Sequence, residues 1–159
     1  MWIGLVGSEM CIRDRLTNDI GTSNSLVSKL IKGELPACPA THMGYVDVRD
    51  VAKAHIFSML NESTNNKRII VSESEMFFVD VGRILNRAGF KKSPTKQMPN
   101  WLVKVLAIFV KELSGVTKSL GKRVDTDKSL AKTLFDWNYI PAKDSIVDTA
   151  NQLSAMDKK

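Results

Sequence analysis

Disulfide-forming cysteines and long apolar runs are both scarce in this chain. Its 159 residues include only two cysteines, Cys11 and Cys38, which are too few for a disulfide framework. A reducing compartment is therefore favoured, and we expect a cytoplasmic protein. No apolar run approaches the roughly 18 residues of a membrane span, and the densest one, residues 101–110, contains a lysine. We therefore expect no membrane partner.

Recognisable metal-binding and catalytic motifs are also missing. The two histidines, His42 and His55, do not form an H-x-x-x-H pair, and no C-x-x-C accompanies them. We expect no metal site. The chain has neither a G-x-S-x-G elbow nor a phosphate-binding Walker loop.

Basic residues are in excess, since 23 Lys and Arg stand against 17 Asp and Glu for a formal net charge of +6. The lysines of the second half are spread over several predicted elements and alternate with apolar positions. They are not interleaved with aromatic residues, so a solvated surface is favoured over a nucleic-acid partner. A composition of 43% hydrophobic and 25% charged residues is typical of one globular domain.

Short strand-like runs alternate with helical runs from residue 16 onwards, which predicts an α/β fold. The predicted helices are 22–33, 51–60, 79–88, 101–110 (a buried helix), 126–135 (capped by Asp125 or Thr126) and 141–156. The predicted strands are 44–50, 68–74 and 122–125. No complete βαβ nucleotide-binding unit is present. We therefore expect an incomplete Rossmann-type protein, mainly the helical substrate-binding half with a few short strands.

The stretch GYVDVRD alternates apolar and polar residues, which predicts a half-buried strand. Tyr45, Asp47 and Arg49 would point one way, and the valines between them the other. Asp50 would then cap a helix that starts at Val51. An ion pair at the strand end and a helix cap explain this charged cluster without a catalytic role.

A G-x-x-G sequence ending at Gly7 follows an apolar run, as in a dinucleotide-binding turn. Such a turn needs a third small residue so that the backbone can approach the pyrophosphate. Met10 stands there instead. The match is weak.

A Y-x-x-x-K match runs from Tyr139 to Lys143. In short-chain dehydrogenases this spacing brings a tyrosine acid and a lysine together on one helix. Pro141 is not tolerated inside a helix, so the helix would begin near Pro141 and leave Tyr139 outside it. We interpret this match as chance.

The stretch GYVDVRDVAKAHIFSML resembles a strand–helix unit in the C-terminal half of the extended short-chain dehydrogenases/reductases, of the NAD-dependent epimerase/dehydratase superfamily. It is most similar to the branch of dihydroflavonol reductases, cinnamoyl-CoA reductases and yeast methylglyoxal reductase-like proteins. Further stretches agree in the family's order: NDIGTSNSLVSKLIKGELPACP, KRIIVSES, MPNWLVKVLAIF, LGKRVDTDKSLAKTLFDW and SIVDTANQL. The resemblance covers residues 16 to about 154.

This resemblance implies an NAD(P)H-dependent reductase of small-molecule carbonyl substrates. The family's glycine-rich loop and its catalytic serine, tyrosine and lysine all lie upstream of the similarity. No residue here can therefore be assigned to catalysis or cofactor binding. We expect NADP or NAD to bind the intact parent, and this chain to bind neither well. In the family the loop before the first predicted helix borders the substrate cleft, which makes Asn18, Thr22 and Ser23 candidate substrate-binding residues. A turn and a helix cap are the alternative.

Residues 1–15 do not continue the resemblance. Leu5–Arg15, read as LVGSEMCIRDR, resembles a translated frame of a transposase-type sequencing adapter. An export signal is disfavoured because Glu9, Arg13 and Asp14 interrupt the segment and no basic region precedes it. We interpret residues 1–15 as a non-native leader, and 16–159 as the C-terminal substrate-binding part of an extended short-chain reductase.

Such a part should be inactive alone and only marginally stable, because it would lack the cofactor half and expose apolar surface. Two other interpretations stay open. One is part of a sugar-nucleotide epimerase or dehydratase of the same superfamily. The other is a non-catalytic binding module that uses the apolar helix at 101–110 or the basic face.

Overall fold

The computed structural model describes residues 5–8, 10–12, 22–109, 117 and 120–156. Helices and strands alternate along them, so the α/β prediction is confirmed. The helices are α1 (Thr22–Lys32), α2 (Val48–Leu60), α3 (Phe78–Arg87), α4 (Asn100–Phe109), α5 (Ser129–Leu134) and α6 (Ala142–Met156), with a short 3-10 helix at Glu62–Thr64. The strands are β1 (Leu5–Ser8), β2 (Met10–Ile12), β3 (His42–Asp47), β4 (Arg68–Val71) and β5 (Ser74–Phe77).

The described strands form two small sheets. β1 pairs in parallel with β4, and β2 pairs in parallel with β3. β5 is antiparallel and takes the other edge of β3. Parallel strands with helices packed around them are typical of a Rossmann-type protein, and the small number of strands matches an incomplete one.

β3 sends side chains into both halves of the core. Tyr45 is 1% exposed and belongs to a cluster formed with α1, α3 and α6. The next residue, Val46, is 0% exposed and packs with α2, β4 and α5. Because consecutive residues are buried on opposite faces, the prediction of a half-buried strand is wrong.

Two glycines end helices as the sequence predicts. Gly33 follows α1 with φ +75°, and Gly89 lies just beyond α3 with φ +110°. A residue with a Cβ is strained at such angles, so glycine is the usual helix terminator there. The predicted start of the last helix is also confirmed, because α6 begins directly after Pro141.

The boundary between β3 and α2 differs from the prediction. α2 begins at Val48, not Val51, and its cap is Asp47. The carboxylate of Asp47 accepts a hydrogen bond from the backbone N–H of Arg49 at 2.9 Å. Asp50 lies inside the first turn of the helix and is completely buried.

The predicted strand at 122–125 is also wrong, since no strand forms there. Side chains hold this segment instead. The backbone N–H of Val124 donates to Nδ1 of His42 at 3.1 Å, and the Thr126 hydroxyl donates to Glu75. The helix predicted to follow Asp125 or Thr126 starts at Ser129, whose N–H is bound by the side chain of Asp127.

The bounds of α4 nearly coincide with those of the predicted apolar helix. Over residues 100–105, only one side of α4 is buried. Val103 is completely buried, whereas Trp101 is 68% and Val105 45% exposed. The prediction of a buried helix is therefore wrong for these residues. Within the described ranges, no helix combines the length and apolarity needed to cross a membrane.

β1 and β2 both lie in the segment interpreted as a leader. Parallel pairing joins backbone groups, so a strand edge accepts many different sequences. The strand pairing therefore fits a leader as well as native sequence, and the division into residues 1–15 and 16–159 stays a prediction.

Candidate substrate-side site

The predicted substrate-binding residues lie at the start of α1. Thr22 is the first residue of the helix, and Ser23 is half-buried in its first turn. Asn18 lies outside the described residues. The first turn has no acidic side chain, and Lys29 and Lys32 are in the last turn. The positive end of the helix dipole is thus not neutralised by the helix's own side chains, which favours a ligand oxygen nearby.

Asn24 is a further candidate, beside the residues predicted from the sequence. It is 8% exposed, and its carboxamide Oδ1 has no hydrogen-bond partner among the described residues. Val27 and Ser28, three and four positions further on, are also buried. Asn24 therefore lies at the N-terminal end of the buried face of α1. The spacing Asn24–Val27–Ile31 was the available signal, because it places a polar residue on an apolar helical stripe.

Three carboxylates hold the chain where it enters α6. Each accepts a hydrogen bond from this segment: Asp50 from Ile140 N–H (2.7 Å), Glu73 from Ala142 N–H (3.1 Å) and Asp47 from the Ser145 hydroxyl (2.7 Å). Negative charge beside a helix N-terminus is favourable. These acidic residues therefore position α6 rather than forming a catalytic pair.

The ionic state of Asp47 follows from its contacts. Its two oxygens accept hydrogen bonds from Nε and Nη2 of Arg49, both at 2.9 Å. Burial alone would raise the pKa of Asp47, but the hydrogen bonds from Arg49 and Ser145 outweigh it and lower the pKa to about 2. Asp47 is therefore a structural anchor that is ionised at neutral pH, and the predicted strand-end ion pair is confirmed.

The Y-x-x-x-K match does not form a catalytic pair. Tyr139 precedes α6 in an extended segment, and Lys143 is exposed in the first turn of that helix. Burial, together with the negative charge of Asp50, raises the pKa of Tyr139. A tyrosine tuned by a neighbouring lysine requires the opposite shift. The prediction that Tyr139 lies outside the helix is confirmed.

The described residues do not fit a dinucleotide cofactor. A pyrophosphate site needs a glycine-rich turn between a strand and the helix that follows it. β3 passes directly into α2 at Asp47-Val48, and β5 into α3 at Phe77-Phe78, without glycine. The segment containing Gly7 pairs as β1 and is followed by β2, not by a helix. The described residues therefore provide no pyrophosphate-binding turn for a cofactor.

Cys38, His42 and His55 are engaged in structural contacts. Cys38 is completely buried, which raises the pKa of its thiol to about 11. Nδ1 of His42 accepts the bond from Val124, and Nδ1 of His55 lies 2.8 Å from the carbonyl oxygen of Val51. Across the described ranges, no three His, Cys, Asp or Glu residues gather in a way that could hold a metal ion.

The chain is similar in sequence to a characterised yeast enzyme. It is 34% identical over 149 residues to the NADPH-dependent methylglyoxal reductase GRE2 of Saccharomyces cerevisiae. The match includes 92% of this chain and 40% of the yeast protein. No protein-family model matches the chain.

Solved structures agree with this relationship. The crystal structure of yeast methylglyoxal/isovaleraldehyde reductase Gre2 with NADPH has a TM-score of 0.70 and 25% identity, covering 98% of this chain and 44% of that one. A nucleoside-diphosphate-sugar epimerase from Pseudomonas aeruginosa has a TM-score of 0.73 at 14% identity, covering 96% and 47%. At that identity the likeness shows the fold alone. The chain thus spans less than half the length of these proteins.

Proposed function

Because the chain belongs to the extended short-chain dehydrogenases/reductases, we propose that it is the substrate-side part of a cytoplasmic NAD(P)H-dependent reductase that converts an aldehyde or ketone to an alcohol. One observation carries the proposal: the 34% identity, over 92% of this chain, to an NADPH-dependent methylglyoxal reductase. The described fold supports it, because helices around a partial parallel sheet are present without a glycine-rich strand-to-helix turn.

The chain's own residues would bind and orient the substrate. In the intact protein, NADPH bound outside the described residues would supply the hydride for the reduction. The start of α1, with Asn18, Thr22 and Ser23, would line the cleft that receives the substrate. The positive end of α1 favours a substrate oxygen beside it.

The 159-residue chain should be inactive alone, because its described residues offer no cofactor turn and no tyrosine–lysine pair. The test is NADPH oxidation by the purified chain with methylglyoxal and with isovaleraldehyde, alongside an NADPH fluorescence titration. We expect no turnover and no saturable binding. Reduction of either aldehyde by the isolated chain would contradict this.

A chimera tests the activity of the intact protein. Residues 16–159 replace the corresponding segment of the yeast reductase, and the unmodified yeast enzyme is the positive control. We expect the folded chimera to oxidise NADPH with at least one of the two aldehydes. A chimera that shows the circular dichroism and cooperative unfolding of the yeast enzyme but reduces neither aldehyde would refute the proposed function.

Part of a sugar-nucleotide epimerase of the same superfamily is the second candidate, because the fold, which the Pseudomonas enzyme shares, does not separate it from a reductase. The same chimera, incubated with UDP-glucose and either NADP or NAD, separates the two. A reductase leaves the sugar unchanged, whereas an epimerase releases UDP-galactose.

The binding-module hypothesis predicts that the isolated chain binds DNA or anionic vesicles, and that this binding weakens as salt rises.

A further inference from the structure

α2 carries apolar side chains on two opposite faces. Val51 and Ala54 lie on its buried face. With about 3.6 residues per turn, Ala52, Ile56 and Met59 fall together on the opposite face, and all three are exposed. Ile56 is 59% and Met59 is 63% exposed. These three exposed residues form the outer face of α2.

The outer face of α2 is unlike that of an ordinary surface helix. Such a helix is apolar towards the core and polar towards solvent, and a helix that is apolar on opposite sides is ordinarily covered on both. Leu60, next to the outer face, is 78% exposed and enlarges the apolar area at the end of the helix. Contiguous exposed apolar areas mark interaction sites. We therefore expect a partner that covers this face.

The charged side chains beside the outer face are already paired. Arg49 forms an ion pair with Asp47, and Nζ of Lys53 lies 3.3 Å from Oδ1 of Asp50. Both carboxylates belong to the start of α2, so these cations are neutralised by the helix and its cap. An acidic partner such as nucleic acid would gain little from this surface, whereas an apolar partner would remove the outer face from water.

α2 lies beside the strand edges at which a larger sheet would continue. It contacts β1 and β2, the short strands that pair in parallel with β4 and β3. Parallel sheets are covered by helices on both faces, and sheets ordinarily have about four to six strands. The chain matches 40% of the yeast methylglyoxal reductase, so most of that relative has no counterpart here. The unmatched part is large enough to extend the sheet and to reach α2.

We propose that the outer face of α2 is the surface on which the cofactor-binding part of the reductase docks, through apolar side chains of its own. The outer face is then buried in the intact enzyme and exposed in the 159-residue chain. This accounts for a helix that is apolar on both sides. The inference rests on the proposed function and adds to it the interface between the two parts of the enzyme.

Thiol labelling of Met59→Cys tests the inference in the 159-residue chain and in the chimera. Mass spectrometry of peptides identifies the labelled position, so other cysteines do not interfere. Labelling should be at least about tenfold slower in the folded chimera than in the chain alone, because a covered thiol reacts only when the interface opens. Met156→Cys is the matched control, since Met156 is 42% exposed at the end of α6, and it should be labelled equally fast in both proteins.

A charged variant measures the contribution of the same contact to stability. Met59→Lys would bury an unpaired charge in the chimera, which is costly, but not in the chain alone. We expect the midpoint of urea unfolding to fall by about 1 M in the chimera and to stay within about 0.2 M in the chain alone. Met156→Lys should shift the two midpoints equally.

Equal labelling rates of Met59→Cys in the two proteins, or equal shifts for Met59→Lys, would overturn the inference. If the chain alone sediments as a dimer that Met59→Lys dissociates, and labelling in the chimera is fast, the outer face belongs to a second copy and the inference is wrong. These measurements do not depend on turnover. A folded chimera that protects Met59→Cys but reduces neither aldehyde overturns the proposed function alone, and an active chimera that is labelled rapidly overturns the inference alone.

Discussion

The hydroxyl of Ser145 donates a hydrogen bond of 2.7 Å to Oδ2 of Asp47, and both residues are completely buried. The bond joins two parts of the chain 98 positions apart, α6 and the cap of α2. Asp47 also pairs with Arg49 in the first turn of α2. One carboxylate therefore starts α2 and holds the last helix against it.

Removing this bond should destabilise the protein without changing its fold. Ser145→Ala leaves a buried carboxylate oxygen with one partner fewer, and hydrogen bonds to charged groups contribute about 1.5–3 kcal/mol. We expect the free energy of unfolding in urea to fall by about 2 kcal/mol. Thr133→Ala, an exposed hydroxyl bonded within α5, is the control and should cost much less. If both variants lost the same free energy of unfolding, the Ser145–Asp47 hydrogen bond would contribute no more than an exposed one.

The carboxylate of Asp47 should make the free energy of unfolding depend on pH below about 4. Its pKa is about 2 when folded and 3.8 for an ordinary carboxyl, so its contribution is complete above about pH 4 and is lost as pH falls towards 2. The difference between these two pKa values corresponds to about 2.5 kcal/mol, most of which is lost by pH 2. Asp47→Asn should therefore be less stable than the parent at pH 6, and the gap should shrink by about this amount by pH 2. A gap that does not change with pH would refute the assignment.

Helix ends were predictable from the sequence where one residue type decides them. Gly33 and Gly89 end helices because other residues are strained at their angles. Asp47 and Asp50 are both residue types that can cap α2. The alternation of apolar and polar residues predicted that the strand continues to residue 50, whereas β3 ends at Asp47. In the folded protein Tyr45 and Val46 are buried on opposite faces of β3, and Asp47, the next residue, is the cap of α2. Burial of both faces depends on tertiary packing and cannot be read from alternation along the strand.

The candidate site was predictable only in part. Thr22 and Ser23 could be placed at a helix start from local sequence, and the structure puts them there. Asn24 shares an apolar helical stripe with Val27 and Ile31, but an asparagine near a helix start is ordinarily a cap, so the sequence alone did not decide between the two roles. Residues 122–125 were predicted as a short strand. Val124 and the adjacent Thr126 instead contact His42 and Glu75, whose side chains are distant in sequence.

Gly82 should not tolerate alanine, although alanine is the better helix former. In an exposed helix, Gly→Ala is favourable by about 1 kcal/mol. A Cβ at Gly82, however, would lie 2.2 Å from the carbonyl oxygen of Pro94, which is a backbone atom. We expect Gly82→Ala to lower the free energy of unfolding by about 1–3 kcal/mol. Arg87→Ala, exposed at the end of α3, is the control.

Urea denaturation followed by circular dichroism measures both variants. If Gly82→Ala proved as stable as the parent, the close approach between α3 and the segment containing Pro94 would be wrong.

Cys38 should resist thiol reagents for as long as the protein is folded. The thiolate is the reactive form, and burial raises the pKa from 9.0 to about 11, so about a hundredfold fewer thiolates are present near pH 8. The sulfur is also completely buried, which blocks access. In a Cys11→Ser background, where Cys38 is the remaining thiol, labelling with a disulfide reagent should be at least about a hundredfold slower in buffer than in concentrated urea. Added urea should accelerate it in parallel with unfolding. Labelling in buffer at the rate seen in concentrated urea would show that the packing of Cys38 against α3 is absent in solution.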